Sequence, residues 1–285
     1  MNSGRLPLAV LGAIALAALA MPLVAAALHS DPSSVDLLSR FAGPSLAHPL
    51  GTDELGRDML LRLLEGGRVS LSIGIAAALT AAAIGTAVGL AAGYLGGWVD
   101  RVLMRLADGV IALPLLPLLI VLAALDLNKL GIPHWLSNSP AISLIRIVAL
   151  AVLIGWTTAA RLVRGATLVT RQRDFVRAAQ SLGAGTPHIL LRHILPNVMA
   201  PLVVATTLSV GDIILLESVL SFLGLGVQPP LASWGSMLSN AEELITSSPL
   251  LAIYPGAMIF LTVIACNLLG DALLRRFDPR DPARV

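Results

Sequence analysis

Charged residues are scarce in this sequence, and that is its most informative feature. Only 13% of its 285 residues are Asp, Glu, Lys or Arg, whereas soluble domains carry about a quarter. The mean hydropathy is +0.85, and apolar runs of about 20 residues recur, the length that crosses a bilayer core of roughly 30 Å. The composition therefore excludes an ordinary soluble protein and predicts an all-α polytopic membrane protein.

Cysteines, metal-ligand clusters and catalytic motifs are scarce as well. Cys266 is the only cysteine, which excludes an intrachain disulfide, and its apolar neighbours indicate a buried thiol. His48, His188 and His193 are too scattered along the chain to predict a metal site. No Ser/His/Asp or Cys/His set falls at a shared membrane depth, and no pattern of basic and aromatic residues indicates nucleic-acid binding. We therefore expect no enzymatic activity, no metal and no nucleic-acid partner.

Six apolar runs predict six transmembrane helices. They cover residues 6–28, 69–94, 102–125, 141–160, 197–219 and 251–274. The first run is longer than the hydrophobic region of a signal peptide, so we interpret it as a retained helix. Pro114 and Pro117 are expected to kink the third helix. The chain divides into residues 1–68, with the first helix and an external segment, and a core transmembrane unit of residues 69–285 with a loop at 161–196.

The distribution of basic residues orients these helices. If six spans alternate, thirteen arginines lie on one side, against four arginines and one lysine on the other. Because loops rich in Lys and Arg stay in the cytoplasm, both termini and the 161–196 loop are predicted to be cytoplasmic. Residues 29–68, 126–140 and 220–250 are predicted to face outward.

One polar stretch, residues 171–197, predicts a short helix outside the bilayer. Asp174 can cap its start, and Gly183 suits the left-handed position that ends it. The residues that share one apolar face of this helix are Phe175, Ala178, Ala179 and Leu182. A helix of two turns is unstable alone in water. It therefore packs either on a partner protein or on the chain's own membrane helices, and the spacing leaves both alternatives open.

A second helix is predicted directly after the first. Thr186 is a good N-cap, and Pro187 is a good first helical residue. We expect Pro196 to end this helix or to mark the turn into the next span.

The 171–197 loop resembles the EAA loop of ABC-importer permeases. That pattern has Glu-Ala-Ala, a glycine four residues after the second alanine, and a closing Ile-Leu-Pro. The positions that match it are Ala178, Ala179, Gly183, Ile194, Leu195 and Pro196. Arg177 stands at the glutamate position and departs from the pattern. The resemblance implies that the helix beginning near Asp174 is a coupling helix, seated in a groove of an ATPase subunit.

Three further segments extend the resemblance over nearly the whole chain. Residues 48–75, 217–238 and 269–280 resemble the dipeptide/oligopeptide/nickel permeases, most closely the C-type member of the permease pair. The resemblance implies a type I (MetI-like) importer permease fold with six transmembrane helices in the bacterial inner membrane. It also implies half of a translocation pathway for peptides, with nickel, an opine or glutathione as the alternative cargo.

The resemblance implies the partners too. A different sister permease would complete the pathway as a heterodimer, and an extracytoplasmic substrate-binding protein would deliver the substrate. Two ABC ATPase subunits would hold ATP and Mg, so this chain itself would bind no cofactor. The rival class is a self-sufficient secondary transporter, which predicts inverted repeats or broken helices with paired charged sites. No convincing repeat is visible in the sequence.

Polar residues within or near the spans are candidates for the translocation path. They are Asp212, Glu217 and Asn267. Such groups usually face the bundle interior or water. The alternative is that they are helix-end or inter-helix contacts, for which Arg146 is a candidate partner.

Small residues and one tryptophan give packing expectations. Gly85, Gly89 and Gly93 are spaced by four, so they share a helix face on which another helix can approach closely. Trp234 is expected to be an anchor at the membrane interface.

The segment at residues 51–58 precedes the second span and mixes both signs of charge. We expect Asp53 or Asp58 to pair with a nearby arginine. The candidate arginines are Arg57, Arg62 and Arg68. A short amphipathic helix is predicted at residues 55–64, and contact with a docked binding protein is the alternative role of this segment.

Overall fold

The fold comes from a computed structural model that describes residues 4–125, 129, 131, 133, 139–239 and 248–277. Its helices are α1 (Arg5–Leu19), α2 (Met21–Leu28), α3 (Met59–Leu95), α4 (Gly97–Ala112), α5 (Leu115–Ala123), α6 (Pro140–Thr170), α7 (Asp174–Ser181), α8 (Thr186–Phe222) and α9 (Leu250–Phe277). Single 3-10 turns form at Leu37–Ser39 and Ser236–Leu238. Within the described residues no strand forms beyond one isolated bridge between Thr52 and Asp58. The predicted all-α class is confirmed.

The count of candidate membrane spans agrees with the sequence. Helices α3, α6, α8 and α9 are each long and apolar enough to cross a membrane. The pairs α1–α2 and α4–α5 pass the same test jointly and are bent by 48° and 85°. Counting each bent pair as one span gives six. Most of the predicted outer loop 126–140, together with residues 240–247 and the terminus 278–285, lies outside the described residues.

The corner between α4 and α5 lies at Leu113 and Pro114, where we predicted a kinked single helix. A proline ring disfavours helical backbone in the residue before it. Leu113 is accordingly extended, with ψ 136°, and Pro114 follows with ψ 115°. Two consecutive extended residues turn the chain by 85°, which is a sharp corner rather than a kink.

Two helices extend beyond their apolar runs. Helix α3 begins at Met59 because Asp58 caps it, its Oδ1 accepting the N–H of Leu61 at 2.8 Å. The separate amphipathic helix predicted at residues 55–64 is therefore wrong. Helix α6 continues to Thr170, so the first ten residues of the predicted 161–196 loop are helical.

Glycines allow α3 and α6 to pack closely, as predicted. An ideal Cβ built on Gly85, Gly89 or Gly93 would come within 2.7 Å of an atom of α6. The nearest atoms belong to Ala159, Ala160 and Thr167, respectively. A side chain at any of the three glycines would push the two helices apart.

The segment between α2 and α3 is tied to α3 by charge. Arg57 Nε lies 2.7 Å and Arg62 Nε lies 3.2 Å from the same carboxylate oxygen of Asp53. The predicted pairing of Asp53 is confirmed. Gly56 adopts φ +74°, and an ideal Cβ there would lie 1.7 Å from the carbonyl oxygen of Asp36, so this turn requires glycine.

Candidate functional site

The short helix α7 has the ends that the sequence predicted, with one correction. Its N-cap is Arg173, with extended backbone (ψ 147°), and Asp174 is the first helical residue rather than the cap. A carboxylate in the first turn still favours the helix through its dipole. At the other end Gly183 adopts φ +82°, and the N–H of Ala184 donates to the Ala179 carbonyl at 3.0 Å. That is the turn that a glycine permits after a helix.

Val176 anchors α7 to the membrane bundle. Its side chain is fully buried, at 0% exposure, in a cluster with Ile189, Ile194 and Val198 of α8. Sequence reasoning missed Val176 because it followed the helical spacing from Phe175. The available signal was the apolar stripe of α8, which needs cover from a neighbouring element.

The predicted apolar face of α7 points away from the bundle. Phe175 is 44% exposed and Leu182 is 87% exposed, while Ala178 is exposed and Ala179 partly buried. One alternative that the sequence left open, packing on the chain's own helices, is therefore seen on one face of α7, and packing of the other face on a partner protein stays a prediction. Val176 packs on the chain itself, and the face that carries Phe175 and Leu182 is uncovered.

Helix α8 starts in the loop and runs through Pro196 into the membrane. Thr186 is its first helical residue rather than its N-cap, and Pro196 neither ends the helix nor marks a turn, so both predicted alternatives are wrong. A proline lacks a donor N–H, and its ring crowds the carbonyl four residues earlier. Residues Ile189–Ile194 form a wider π turn, in which the N–H of Leu195 donates to the carbonyl of Leu190. The wider turn gives the proline ring room, so the helix continues.

The closing Ile-Leu-Pro of the EAA pattern lies mainly inward. Ile194 is fully buried in the cluster that holds Val176, and Leu195 packs against that cluster while partly buried. Pro196 is exposed. This end of the loop therefore supports α7, whereas the uncovered apolar surface belongs to α7 itself.

Arginines join the base of the loop to neighbouring helices. Arg164 of α6 donates two hydrogen bonds to Asp100 of α4, at 2.5 and 2.6 Å. Arg171, at the start of the loop, donates to the carbonyls of Gly93 and Tyr94 at the end of α3, at 2.8 and 3.2 Å. The base of the loop is therefore bonded to α3 through Arg171, and α6 is bonded to α4 through Arg164.

The opposite end of the bundle is organised around Glu217. This side chain is 0% exposed and accepts hydrogen bonds from three serine hydroxyls. Ser221 and Ser233 donate to Oε1 at 2.6 Å each, and Ser70 donates to Oε2 at 3.2 Å. The carboxylate thus joins α3, α8 and the segment of residues 223–239.

The direction of these three hydroxyl bonds follows from their other partners. Each serine oxygen already accepts a backbone N–H: Ser221 from Val227, Ser233 from Ser236, and Ser70 from Trp234. A serine hydroxyl has a single proton to donate. With all three hydroxyls donating to Glu217, the surroundings of this side chain suit a carboxylate that only accepts hydrogen bonds.

Trp234 is a buried wedge, so the prediction of an interface anchor is wrong. It is 0% exposed, and its Nε1 donates to the carbonyl of Leu63 at 3.0 Å. Ideal Cβ atoms on Gly66 and Gly67 would lie 3.0 and 3.1 Å from its ring. The segment 223–239 folds back onto α3 at these two glycines and carries the indole into the bundle.

The other predicted path residues are more open. Asp212 and Asn267 are both exposed on the surface of the bundle. Arg146 makes no ion pair with Asp212 or Glu217 among the described residues, where its Nε is buried without a hydrogen-bond partner. The role of Asp212, Glu217 and Asn267 in translocation stays a prediction, and the contacts of Glu217 favour the inter-helix alternative.

A cavity of about 300 Å³ lies beside the Glu217 network. Its polar lining comes from two parts of the chain. Asp53 and Arg57 precede α3 and Arg62 lies at its start, while Ser221, at the end of α8, is followed by Gln228 and Ser236. Two of these lining residues belong to the contacts described above: Asp53 pairs with Arg57 and Arg62, and Ser221 bonds Glu217.

Comparison with known proteins places this geometry in a family. The family described as "Binding-protein-dependent transport system inner membrane component" matches residues 85–280, which is more than half of the chain. The chain belongs to this family. A Brucella suis relative named as a peptide permease is 38% identical over 251 residues, covering 87% of this chain and 78% of the relative. A glutathione transport system permease protein of Escherichia coli is 46% identical over 238 residues, covering 84% of this chain and 74% of the relative.

The chain is therefore a permease of the ABC-importer peptide/oligopeptide family, as the motifs predicted. It is a multi-pass protein of an inner-membrane transport system, and the type I importer fold is confirmed. Permeases of this family work with ATPase and substrate-binding partners. The 171–197 loop lies wholly inside the matched residues.

Proposed function

We propose that this permease forms half of the translocation pathway for di- and oligopeptides across the inner membrane. A different sister permease supplies the other half, and an extracytoplasmic binding protein delivers the peptide to the outer segments. Two ATPase subunits hold ATP and Mg, so this chain binds no cofactor and catalyses no reaction. Both termini and the 171–197 loop lie in the cytoplasm.

The observation that carries the proposal is the uncovered apolar face of α7. Leu182 and Phe175 are exposed on a helix that a single buried residue, Val176, fixes to the bundle. Burying apolar surface contributes about 25 cal/mol per Å², so covering this face with an ATPase groove is favourable. The loop is also mechanically connected, because Arg171 bonds its base to the end of α3.

In this mechanism ATP drives the switch by favouring one arrangement of the ATPase pair. A ligand shifts an equilibrium only through its different affinity for the two states. Closure of the ATPases on ATP moves α7, and the bonds of Arg164 and Arg171 transmit the motion to α3 and α4. The two membrane halves then exchange inward-open and outward-open arrangements.

The variant Leu182→Asp tests the docking role with little risk to folding, because this side chain is 87% exposed. We expect the ATPase subunits to be lost on co-purification and peptide uptake into cells to fall with them. Leu38→Asp is the matched control, since Leu38 is 99% exposed in the segment before α3, and the ATPase subunits should remain bound. Full ATPase retention by Leu182→Asp would show that α7 is not the docking element.

Glutathione is a second candidate cargo, because the Escherichia coli relative named for glutathione transport is 46% identical over 84% of this chain. Uptake of a labelled dipeptide by the complete importer separates the two. An excess of unlabelled glutathione leaves this uptake unchanged if the pathway serves peptides in general. Complete competition would assign glutathione instead.

A further inference from the structure

A groove of about 620 Å³ lies between α1, α3 and α8. It forms because α1 crosses from α3 to α9 along its length. Near the end of α1, the Cβ of Ala18 would lie 3.2 Å from an ideal Cβ on Gly67 of α3. At its start, an ideal Cβ on Gly4 would lie 3.3 Å from the Cβ of Ala272 in α9. Helices α1 and α3 therefore diverge, and residues of α8 line the gap between them.

The three hydroxyl groups that line the groove all have partners within their own helices. Thr86 donates to the Ala82 carbonyl at 2.6 Å, and Thr206 and Thr207 of α8 donate to carbonyls four residues earlier at 2.8 Å each. The other lining side chains are apolar. Helices α3, α8 and α9 are candidate membrane spans, so the groove lies where hydrocarbon is the solvent. A hydrocarbon chain satisfies all that this lining requires.

Arg68 lies just beyond one end of the groove. At about 100° per residue, it is within about 60° of both Leu71 and Ile75 around the axis of α3, and both of these residues line the groove. On α3 the lining runs from Leu71 to Thr86, a length of about 22 Å. The positive charge and the apolar lining therefore share one edge of the helix.

The charge of Arg68 is not used by a neighbouring acid. Its side chain is exposed, and it takes part in none of the ion pairs formed among the described residues. Asp53, for which the sequence made Arg68 a candidate partner, pairs with Arg57 and Arg62 instead. Glu65, one turn earlier on α3, forms no ion pair with Arg68 within this part of the chain. An anionic group at the end of the groove can therefore bind this guanidinium.

We propose that Arg68 and the groove together bind one phospholipid, with an acyl chain in the groove and the phosphate on the guanidinium. Arginine offers parallel N–H donors that match the oxygens of a phosphate. The inference goes beyond the proposed transport role. Only the choice of leaflet depends on the proposed topology, which puts Arg68 at the outer face.

The size of the groove favours an acyl chain over a helix of the sister permease. A helix with its side chains is about 10 Å across, so a length of about 22 Å fills about 1,700 Å³, far more than the 620 Å³ of the groove. A cavity of about 150 Å³ accepts the six carbons of benzene. By the same ratio this groove holds about 25 carbons, enough for one lipid chain of about 18 carbons and too few for two.

Native mass spectrometry of the full-length permease, purified in detergent and titrated with dioleoyl phosphatidylglycerol, tests the site. We expect Arg68→Gln to weaken lipid binding about tenfold, because a hydrogen-bonded charge pair is lost. Ala15→Trp should weaken it as much, since Ala15 lines the groove on α1 and an indole there would occupy the space of the chain. The matched controls are Arg105→Gln, exposed on α4, and Ala13→Trp, on the exposed side of α1. Both controls should bind like the wild type.

Two further ligands separate the contributions of headgroup and chain. Dioleoylglycerol has the same chains without the phosphate, so it should bind the wild type and Arg68→Gln equally. Removing the phosphate and removing the guanidinium act on one contact, and their effects should not add. Inorganic phosphate should not displace the phospholipid, because it cannot replace the chain. Complete displacement by inorganic phosphate would show a headgroup site without the groove and would overturn the inference.

The remaining outcomes are equally decisive. Lipid binding that is unchanged in both Arg68→Gln and Ala15→Trp, or weakened equally in the two controls, contradicts the proposal. If Ala15→Trp keeps the lipid and loses the sister permease on co-purification, the groove holds a protein helix and the inference is wrong. Thermal unfolding shows whether Ala15→Trp folds. If it does not, Arg68→Gln and the dioleoylglycerol comparison still decide the question.

Discussion

Replacing Glu217 with glutamine exchanges one carboxylate oxygen for an NH₂ group at the centre of the serine network and changes the side-chain volume very little. The carboxylate receives three hydroxyl protons, and each donor oxygen is held by a backbone N–H. A glutamine offers one oxygen to those donors and turns an NH₂ group toward the remainder. At least one serine hydroxyl, that of Ser70, Ser221 or Ser233, then faces another donor.

The magnitude follows from the bond that is lost. A hydrogen bond to a charged group contributes about 1.5–3 kcal/mol, so the folded fraction relative to the unfolded should fall roughly ten- to hundredfold. For chains of 150–250 residues each kcal/mol lowers the melting temperature by about 2–4 °C. We therefore expect Glu217→Gln to lower the apparent melting temperature of the purified permease by roughly 5 °C.

Thermal unfolding in detergent micelles measures this effect. Asp212→Asn is the matched control, because Asp212 lies on the same helix and is exposed, and its stability should change by less than about 0.5 kcal/mol. Ser233→Ala should also destabilise, and the double variant with Glu217→Gln should lose less than the sum of the two, since both act on one bond. A Glu217→Gln variant as stable as the wild type would refute the reasoning. It would mean that Glu217 is a neutral acid, which glutamine imitates well.

Two further variants probe the packing. Gly89→Ala should destabilise the fold by about 1–3 kcal/mol through overpacking, since its Cβ would lie 2.6 Å from the carbonyl oxygen of Ala160. The control is Gly165→Ala on the facing helix, where a Cβ would have nothing within 4 Å and the change should be neutral or stabilise by about 0.5–1 kcal/mol. Thermal unfolding compares the two variants. Val176→Ala removes two buried methyl groups, each of which stabilises the packing of α7 by about 0.8 kcal/mol. We expect trypsin to cleave within α7 faster in this variant than in the control Ser181→Ala, which changes the exposed side of the helix. Equal cleavage rates would contradict the anchoring role of Val176.

The features that the sequence could predict are those decided by local periodicity. Long apolar runs mark the six spans whatever surrounds them, because the bilayer sets their length. The stop of α7 at Gly183 depends only on a backbone angle that glycine permits. The approach of α3 to α6 needs only that Gly85, Gly89 and Gly93 fall on one face.

The features that it could not predict depend on contacts between distant residues. Tryptophan is a residue type typical of the membrane interface. Trp234 is a core residue only because segment 223–239 folds onto Gly66 and Gly67. Val176 differs from Phe175 in burial only because α8 lies beside it. The surroundings of Glu217 are assembled from serines up to 147 positions away, a separation at which spacing carries no information.

The π turn at Ile189–Ile194 limits which insertions and deletions this chain can tolerate. A π turn accommodates one residue more than a regular helix over the same rise, and each residue is worth about 100° of rotation. Deleting one residue here would let a regular helix cover the same rise and leave the phase of the flanking parts unchanged, whereas inserting a further residue would turn everything before it by roughly that angle and carry Val176 out of its cluster. The length of this stretch is therefore constrained in both directions: an insertion would turn α7 relative to the rest of α8, and a deletion would return the ring of Pro196 to the carbonyl four residues before it.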